Sequence, residues 1–156
     1  MNKNKILFVC LGNICRSPSA EAVFKGLVKK EGFEDQFEID SAGTGGWHVG
    51  EPADKRMQKH AIQRNYSLDS ISRQFDPEID FDRFDMIIAM DDENVATLRD
   101  WARNGNDADN IRKITDFRQT WQYDEVPDPY YGGEEGFELV LDLLEDSCEG
   151  LLEKMK

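Results

Sequence analysis

A short segment near the N-terminus carries the side chains that phosphoryl chemistry needs. Residues 10 to 17 read Cys-Leu-Gly-Asn-Ile-Cys-Arg-Ser, and they directly follow an apolar run at residues 6–9. A cysteine that ends a buried strand, followed by a short loop and then a helix, predicts a phosphate-binding loop with its own nucleophile. Successive backbone N–H groups of such a loop can point inward and form an anion-binding nest. Gly12 and Asn13 are residue types that tolerate the left-handed backbone this curl requires.

The residues after the loop predict a helix whose N-terminus faces the same nest. Ser17 is a favourable N-cap residue, and Pro18 suits the first helical turn. The positive end of the helix dipole would then face a bound phosphate. A helix N-terminus and a nearby cation lower the pKa of a cysteine to roughly 3.5–7.5. We therefore expect Cys10 to be a thiolate at neutral pH.

Arg16 and Ser17 complete the chemistry that a Cys10 thiolate would begin. The planar guanidinium of Arg16 matches two phosphoryl oxygens. It would hold the same oxygens in the transition state, where positioning and charge stabilisation supply most of the catalysis. The hydroxyl of Ser17 would donate to the sulfur and make it a better leaving group. The predicted reaction is attack of Cys10 on phosphorus, which gives a phosphocysteine, followed by hydrolysis.

The string from Val9 to Pro18 resembles the phosphate-binding loop of the low-molecular-weight protein tyrosine phosphatases. Cys-X5-Arg alone recurs in several phosphatase families, but the extended string with Ser-Pro, near the start of a chain of 156 residues, is specific. The sequence Asp-Pro-Tyr-Tyr-Gly at residues 128–132 resembles the general-acid loop of that family. Segments 40–43 and 84–94 fit as well, so the resemblance covers nearly the whole chain.

The resemblance implies a role for each matching residue. Cys10 occupies the position of the nucleophile, and Arg16 occupies the phosphate-binding position. Asp128 occupies the position of the general acid, which protonates the leaving phenolate and then activates water. The remaining positions form the phosphate loop with its supports (Leu11, Gly12, Asn13, Ile14, Cys15, Ser17 and Ser41) and the slot for the substrate ring (Trp47, Tyr130 and Tyr131), whose walls also include Leu11 and Ile14.

At two positions the resemblance does not determine the role of the residue. When Arg73-Gln74 is aligned with the family's Arg-Gln, Ser70 stands where many members have a histidine that supports the loop. The support of the loop is therefore expected to differ here. Cys15 has two interpretations: it fills the loop as a small side chain, or it forms a reversible disulfide with Cys10, as often in the family. Such a disulfide protects the nucleophile from irreversible oxidation.

The role of Asp128 also follows from the chemistry itself. Cleavage of a phosphate ester needs a proton for the leaving oxygen, and such acid catalysis contributes on the order of 10²–10⁴ in rate. Close to a thiolate and a phosphate, like charge would raise the pKa of this carboxyl group. Asp-Pro by itself more commonly marks a turn. Only the cysteine loop and the two adjacent tyrosines favour the acid.

Composition and cysteine content restrict the class of protein. A chain of 156 residues with 39% hydrophobic residues is expected to form one globular domain, residues 1–156. The apolar stretch at residues 6–11 is too short for a secretory or membrane-spanning segment. Three cysteines, an odd number, predict reduced thiols and a cytoplasmic location. No cofactor or metal is expected, because neither His48 nor His60 has zinc-ligand spacing with the cysteines, and both are interpreted as ordinary surface or helix residues.

The formal net charge of −13 disfavours nucleic acid and anionic membranes as partners. A phosphorylated substrate is compatible with it, because the nest acts at contact range while the acidic surface is screened over roughly 8 Å. The expected partners are tyrosine-phosphorylated proteins, with a cognate tyrosine kinase considered among them. Inorganic phosphate is the expected product, and the expected state is a monomer.

The alternation of strand and helix patterns predicts an α/β fold. We expect three layers, with a four-stranded parallel twisted sheet, helices on both faces and the phosphate-binding loop after strand one. Strands are predicted near residues 5–9, 37–41, 86–90 and 112–114, and helices from residue 17 and over 53–65, 92–104 and 134–155. With strand one central, the crevice of the sheet lies at its carboxyl end, where Cys10 stands.

Three other functions share parts of this pattern. A thioredoxin-coupled arsenate reductase has a similar loop but needs relay cysteines in mid-chain, and residues 81–92 contain none. Arginine phosphatases usually have a threonine where Ile14 stands, and isoleucine suits an aromatic ring. A catalytically idle phosphotyrosine- or anion-binding module is disfavoured because nucleophile, arginine and acid are all present. The sequence therefore favours hydrolysis of phosphotyrosine.

Overall fold

A four-stranded parallel sheet forms the centre of the computed structural model, which describes residues 3–130 and 133–156. The strands are β1 (Asn4–Cys10), β2 (Phe37–Gly43), β3 (Met86–Ala89) and β4 (Ile111–Lys113), in the spatial order β2-β1-β3-β4. Each neighbouring pair is parallel, and β1 pairs with β2 over its whole length. The chain thus builds one side of β1 first and then crosses to the other side.

Helices cover both faces of this sheet. They are α1 (Arg16–Lys30), α2 (Lys55–Ile62), α3 (Asp80–Arg83), α4 (Asp92–Trp101), α5 (Gly105–Asp109) and α6 (Glu134–Met155), with short 3-10 helices at Glu34–Gln36 and Ile114–Phe117. In the described ranges no helix has the length and apolar character that crossing a membrane requires. The predicted three-layer α/β class is confirmed.

Strand β1 is buried on both faces because its residues alternate between two hydrophobic clusters. Ile6 and Phe8 belong to the cluster that packs against α1 and α6. Leu7 and Val9 belong to the cluster on the opposite face, which includes Leu98 of α4. All four side chains have no solvent exposure. The strand that ends in Cys10 is therefore enclosed on both faces along residues 6–9.

The prediction of Ser17 as an N-cap is wrong. Helix α1 begins at Arg16, and the N-cap position is Cys15. The hydroxyl of Ser17 lies 3.0 Å from the sulfur of Cys10 and accepts a hydrogen bond from the Asn13 side chain at 2.7 Å. The hydroxyl of Ser17 therefore contacts the residue that ends β1 instead of capping the first turn of α1.

Helix α2 is shorter than the predicted 53–65. It begins after Asp54, whose carboxylate accepts hydrogen bonds from the backbone N–H groups of Arg56 and Met57 at 2.8 and 3.2 Å. Asn65 adopts a left-handed backbone with a φ of 69°, which ends helical geometry. The side-chain cap at Asp54 and the left-handed backbone at Asn65 therefore make α2 shorter than its apolar pattern predicts.

The remaining boundaries differ by a few residues. Helix α4 stops at Trp101, since Asn104 caps the separate short helix α5 by accepting from the N–H of Asp107 at 2.9 Å. Strand β2 continues to Gly43 because its pairing with β1 extends to Cys10. Strand β3 ends at Ala89, one residue before its predicted end, and β4 begins at Ile111, one residue before its predicted start. Helix α6 agrees with the predicted 134–155, and the apolar residues that recur along it at helical spacing are buried: Phe137, Val140, Leu141, Leu144, Cys148 and Leu151.

Candidate active site

The segment between β1 and α1 lies where the strand order of the sheet reverses. Strand β1 leads to β2 on one side, and β3 pairs with β1 on the other. Open parallel sheets bind ligands in the crevice at the carboxyl ends of such strands. Cys10 is the last residue of β1 and lies at this switch point, as predicted.

The sulfur of Cys10 is surrounded by hydrogen-bonding groups of its own loop. The backbone N–H of Asn13 donates to it at 3.3 Å, and the hydroxyl of Ser17 lies 3.0 Å away. Asn13 has the predicted left-handed backbone, with a φ of 57°, but Gly12 does not. A Cβ at Gly12 would lie 3.1 Å from a ring carbon of His48, so a larger residue there would require a small shift of the histidine ring.

A chain of buried polar side chains supports the loop from behind. The side-chain amide nitrogen of Asn13 donates to the hydroxyls of Ser17 and Ser41, at 2.7 and 3.0 Å. Ser41 in turn donates to the carboxylate of Glu21 at 2.6 Å, and Lys25 pairs with the same carboxylate at 2.5 Å. Asn13, Ser17 and Ser41, all predicted to belong to the phosphate loop and its supports, therefore lie in one hydrogen-bond network.

Glu21 was missed by the sequence analysis. It is buried on α1, between the buried apolar residues Ala20 and Val23. A charged residue embedded in an apolar stripe was the signal available in the sequence. Its partner Ser41 lies 20 residues away on β2, so the chain alone does not show the pairing.

Further support of the loop comes from residues just beyond Ser70, the position where many family members have histidine. The hydroxyl of Ser72 donates to the carbonyl of Gly12 at 3.0 Å. The backbone N–H of Arg73 donates to the side-chain oxygen of Asn13 at 3.0 Å. The support thus uses a hydroxyl and a backbone group from the segment 72–73.

Arg16 closes the loop and points toward two carboxylates. One guanidinium nitrogen lies 2.6 Å from Asp91 and donates to the carbonyl of Val126 at 3.0 Å. The other lies 3.7 Å from Asp128. Burial alone would lower the pKa of Arg16, but the negative charges of Cys10, Asp91 and Asp128 outweigh it and raise the pKa above its usual value. The guanidinium is therefore a permanent, oriented cation.

Asp91 is a second residue that the sequence analysis left without a role. One of its oxygens caps α4 by accepting from the N–H of Asn94 at 2.7 Å, while the other meets Arg16. An aspartate between a strand and a helix indicates a cap, and this part was readable in the sequence. The contact with Arg16 spans 75 positions and was not.

Asp128 lies in an irregular segment opposite the loop. Its side chain is 36% exposed, and one oxygen accepts from the backbone N–H of Tyr130 at 3.0 Å. This contact is the turn geometry that Asp-Pro commonly adopts. Asp128 therefore forms this turn and also places a carboxylate oxygen beside Arg16. The segment is attached to the sheet because the N–H of Val126 donates to the carbonyl of Met90 at 2.8 Å.

These groups surround a cavity of about 420 Å³. It brings together most of the predicted site residues, and its lining consists of Cys10, Leu11, Gly12, Ile14, Cys15, Arg16, Trp47, His48, Asp128 and Tyr130. Trp47 is 72% exposed and stands at the edge, with its ring packed over Gly45, where a Cβ would lie 1.8 Å from a ring carbon. Tyr131 lies outside the described residues.

His48 lines this cavity, so its interpretation as an ordinary surface residue was wrong. Its Nδ1 lies 2.6 Å from the carboxylate of Glu51. Its ring centroid is 6.2 Å from that of Tyr130. The ring of His48 lies close to Gly12 at the wall of the cavity, and this long-range contact has no signal in the local sequence. His60, by contrast, lies on α2 as predicted, paired with Glu138.

All three cysteines, each of them among the described residues, are buried and free. Burial, and then the negative charges of Asp54, Cys10 and Asp128, raise the pKa of Cys15 well above that of an ordinary thiol. Cys15 is therefore a neutral thiol at neutral pH. Within residues 3–130 and 133–156 no group of three or more His, Cys, Asp or Glu side chains is arranged to hold a metal ion.

A cysteine, an arginine and an aspartate that meet at the switch point of a parallel sheet are typical of a phosphatase. Comparison with known proteins agrees, because the family model described as "Low molecular weight phosphotyrosine protein phosphatase" matches residues 5–156. The chain belongs to this family and is an enzyme of the protein-tyrosine-phosphatase class.

Individual relatives are similar over nearly their whole length. The low molecular weight protein-tyrosine-phosphatase YfkJ of Bacillus subtilis is 45% identical, over 94% of this chain and 92% of the relative. The crystal structure of a protein tyrosine phosphatase from Entamoeba histolytica matches with a TM-score of 0.95 and 48% identity, covering 98% of this chain and 97% of that chain. A structure named as a Drosophila arginine phosphatase matches with a TM-score of 0.90 and 34% identity, covering 97% of this chain and 96% of that one.

Proposed function

We propose that this enzyme hydrolyses phosphotyrosine monoesters through a phosphocysteine intermediate. Cys10 is the nucleophile, Arg16 binds the phosphate, and Asp128 is the general acid and then the general base. The observation that carries the proposal is the convergence of these three groups on one cavity, with Arg16 lying 3.7 Å from Asp128.

In the first step the sulfur of Cys10 attacks phosphorus. An S–P bond forms, and the bond between phosphorus and the phenolic oxygen breaks. The N–H of Asn13, 3.3 Å from the sulfur, stabilises the thiolate before the attack. Arg16 and the loop N–H groups hold the phosphoryl oxygens, whose charge they compensate in the transition state. Asp128 gives its proton to the departing phenolate.

In the second step water attacks the phosphocysteine. The carboxylate of Asp128 takes a proton from the water, the new P–O bond forms and the S–P bond breaks. Ser17, 3.0 Å from the sulfur, donates to it as it leaves with the electron pair. Inorganic phosphate is released, and the enzyme returns with Asp128 protonated.

An aromatic phosphoester fits the cavity better than an aliphatic one. Leu11 and Ile14 form apolar walls, and Trp47 and Tyr130 stand at the mouth. A tyrosine ring would pass between these walls and bring its phosphate to Cys10. Tyrosine-phosphorylated proteins are therefore the proposed partners. A cytoplasmic location, expected from reduced cysteines, belongs to the same proposal.

Phosphoarginine is the second candidate substrate, because a similar structure bears the name of an arginine phosphatase. It would occupy the same cavity and use the same nucleophile. Ile14 at the wall favours the aromatic ring over a guanidinium, which would leave its donors without partners there.

The test is phosphate release from matched phosphotyrosine, phosphoserine and phosphoarginine peptides by reduced enzyme. We expect release from phosphotyrosine alone in the wild type and none in Cys10→Ser. Cys148→Ala removes a buried thiol that does not line the cavity and serves as the matched control, with activity retained. Turnover by Cys10→Ser would refute the nucleophile, and preference for phosphoarginine would refute the proposed substrate. Phosphotyrosine peptide that remains intact in the wild type would refute hydrolysis.

A further inference from the structure

Arg56, in the first turn of α2, takes no part in the reaction steps above, yet it connects the two sides of the cavity. Its neighbour Asp54 donates its backbone N–H to the carbonyl of Ile14 in the phosphate loop at 2.8 Å. Arg56 itself donates from Nη2 to the carbonyl of Tyr130, next to the proposed acid, at 3.1 Å. The start of α2 thus contacts both the loop that holds the nucleophile and the segment that holds the acid.

The guanidinium of Arg56 is held from several directions. It lies 3.2 Å from the carboxylate of Asp54. Its central carbon is 5.4 Å from the ring centroid of Tyr130 and 5.0 Å from that of Phe137, distances typical of cation–π contacts. Burial raises the pKa of Asp54, but hydrogen bonds from Arg56 and the following N–H groups outweigh it and lower the pKa overall. The ion pair is therefore present throughout the neutral range.

Tyr130 in turn fixes the carboxylate of Asp128, because its backbone N–H donates to that carboxylate at 3.0 Å. Arg56 binds the same residue through its carbonyl and its ring. The described residues 118–130 contain no helix or strand. This segment is also held by the N–H of Val126, which donates to the carbonyl of Met90, and by Arg16, which donates to the carbonyl of Val126 and lies 3.7 Å from Asp128. Arg56 adds two contacts to Tyr130, the residue whose N–H orients the carboxylate of Asp128.

We propose that Arg56 is a positioning residue for the general acid, an inference that rests on the proposed function of Asp128. Proton transfer requires the donor within about 2.6–3.2 Å of the leaving oxygen. Arg56 holds Tyr130 and thereby keeps Asp128 within this distance. Arg56 is not among the described residues that line the cavity, so its contribution is expected only where the leaving group needs a proton.

The experiment compares Arg56→Met with a matched control, Arg83→Met. Both arginine side chains are 50% exposed, and each lies 3.2 Å from a carboxylate. Arg83 also lies 5.1 Å from an aromatic ring centroid, that of Phe84, but it pairs with Glu38 rather than with the acid segment. The two substitutions therefore remove the same kinds of contact, and only one of them touches Tyr130.

The measurement is kcat/KM for phenyl phosphate, a poor leaving group, and for dinitrophenyl phosphate, a good one. We expect Arg56→Met to lose roughly tenfold on phenyl phosphate and less than twofold on dinitrophenyl phosphate, as a fraction of the 10²–10⁴ that a general acid supplies. Arg83→Met should lose less than about twofold on both, as expected of an exposed ion pair. Arg56→Lys keeps the charge and one donor and should recover part of the loss.

A double-mutant cycle separates this proposal from the function on which it rests. In an Asp128→Asn background, Arg56→Met should add no further loss that depends on the leaving group. If Asp128→Asn alone shows no leaving-group dependence, the proposed acid is wrong. If Asp128→Asn shows it but Arg56→Met loses equally on both substrates, or matches Arg83→Met, the positioning role is wrong. Should Arg56→Met fail to fold, equal losses on both substrates in Arg56→Lys would overturn the role.

Discussion

Two glycines in helix interiors should respond in opposite ways to the same substitution. Gly150 lies in α6, and a Cβ there would stand 1.8 Å from the carbonyl oxygen of Phe117. Gly26 lies in α1, and its Cβ would meet ring atoms of Tyr66 at 3.6 Å, which is ordinary van der Waals contact. Gly150→Ala must therefore displace backbone, whereas Gly26→Ala fits.

The magnitudes follow from two opposing effects. Alanine gains about 1 kcal/mol over glycine in a helix interior. Overpacking costs about 1–3 kcal/mol, and a contact with an immobile backbone oxygen belongs to the upper part of that range. We expect Gly26→Ala to raise the free energy of unfolding by roughly 0.5–1 kcal/mol. Gly150→Ala should lower it by about 2 kcal/mol, because the clash outweighs the helix propensity.

Thermal and urea unfolding of the two variants measure these differences. In a protein of this size 1 kcal/mol corresponds to a shift of about 2–4 °C in Tm. Gly26→Ala should therefore melt about 2 °C above the wild type, and Gly150→Ala about 4–8 °C below it. A Gly150→Ala variant as stable as Gly26→Ala would refute the close approach of α6 to the 3-10 helix at Ile114–Phe117.

The remaining predictions concern the site. Cys10→Ser should abolish turnover yet keep its affinity for inorganic phosphate, measured by calorimetry, because Arg16 and the loop are unchanged; lost affinity would mean that the loop has collapsed. Asp128→Ala should slow phenyl phosphate far more than dinitrophenyl phosphate in steady-state assays, and a uniform loss would remove the acid role. Since burial and nearby negative charge raise the pKa of Cys15, it should stay protonated and react with iodoacetamide much more slowly than Cys10. Mass spectrometry of partially alkylated protein checks this order, and equal labelling would contradict it.

The order of strands and helices and the position of the phosphate loop were predictable because their signals are local. The apolar run of β1, the cysteine at its end and the periodic stripe of α6 are each contained in a short window of sequence. The local pattern predicted an N-cap at Ser17, and this was wrong because the hydroxyl contacts the sulfur of Cys10 instead of the helix end. Helices α3 and α5 span four and five residues, too few for a periodic pattern to be recognised.

The parts of the site that escaped prediction depend on contacts between distant segments. Asp91 meets Arg16 across 75 positions, and Glu21 meets Ser41 across 20. His48 lines the cavity beside Gly12, and neither residue alone indicates this contact. Local patterns predicted most of the residues that line the cavity, whereas the groups that support them are determined by the packing of the folded chain.

The burial of β1 on both faces gives the two halves of the site unequal local stability. Cys10 ends a strand whose residues 6–9 have no solvent exposure, and such strands open only with global unfolding. The segment that leads to Asp128 is exposed at residues 118–125 and is tied to α6 through Asp146, which accepts from the N–H groups of Gln119 and Thr120. Amide hydrogen exchange should therefore be slowest in β1 and faster along the exposed residues 118–125. The loop that carries Cys10 should therefore stay formed during local openings of residues 118–125.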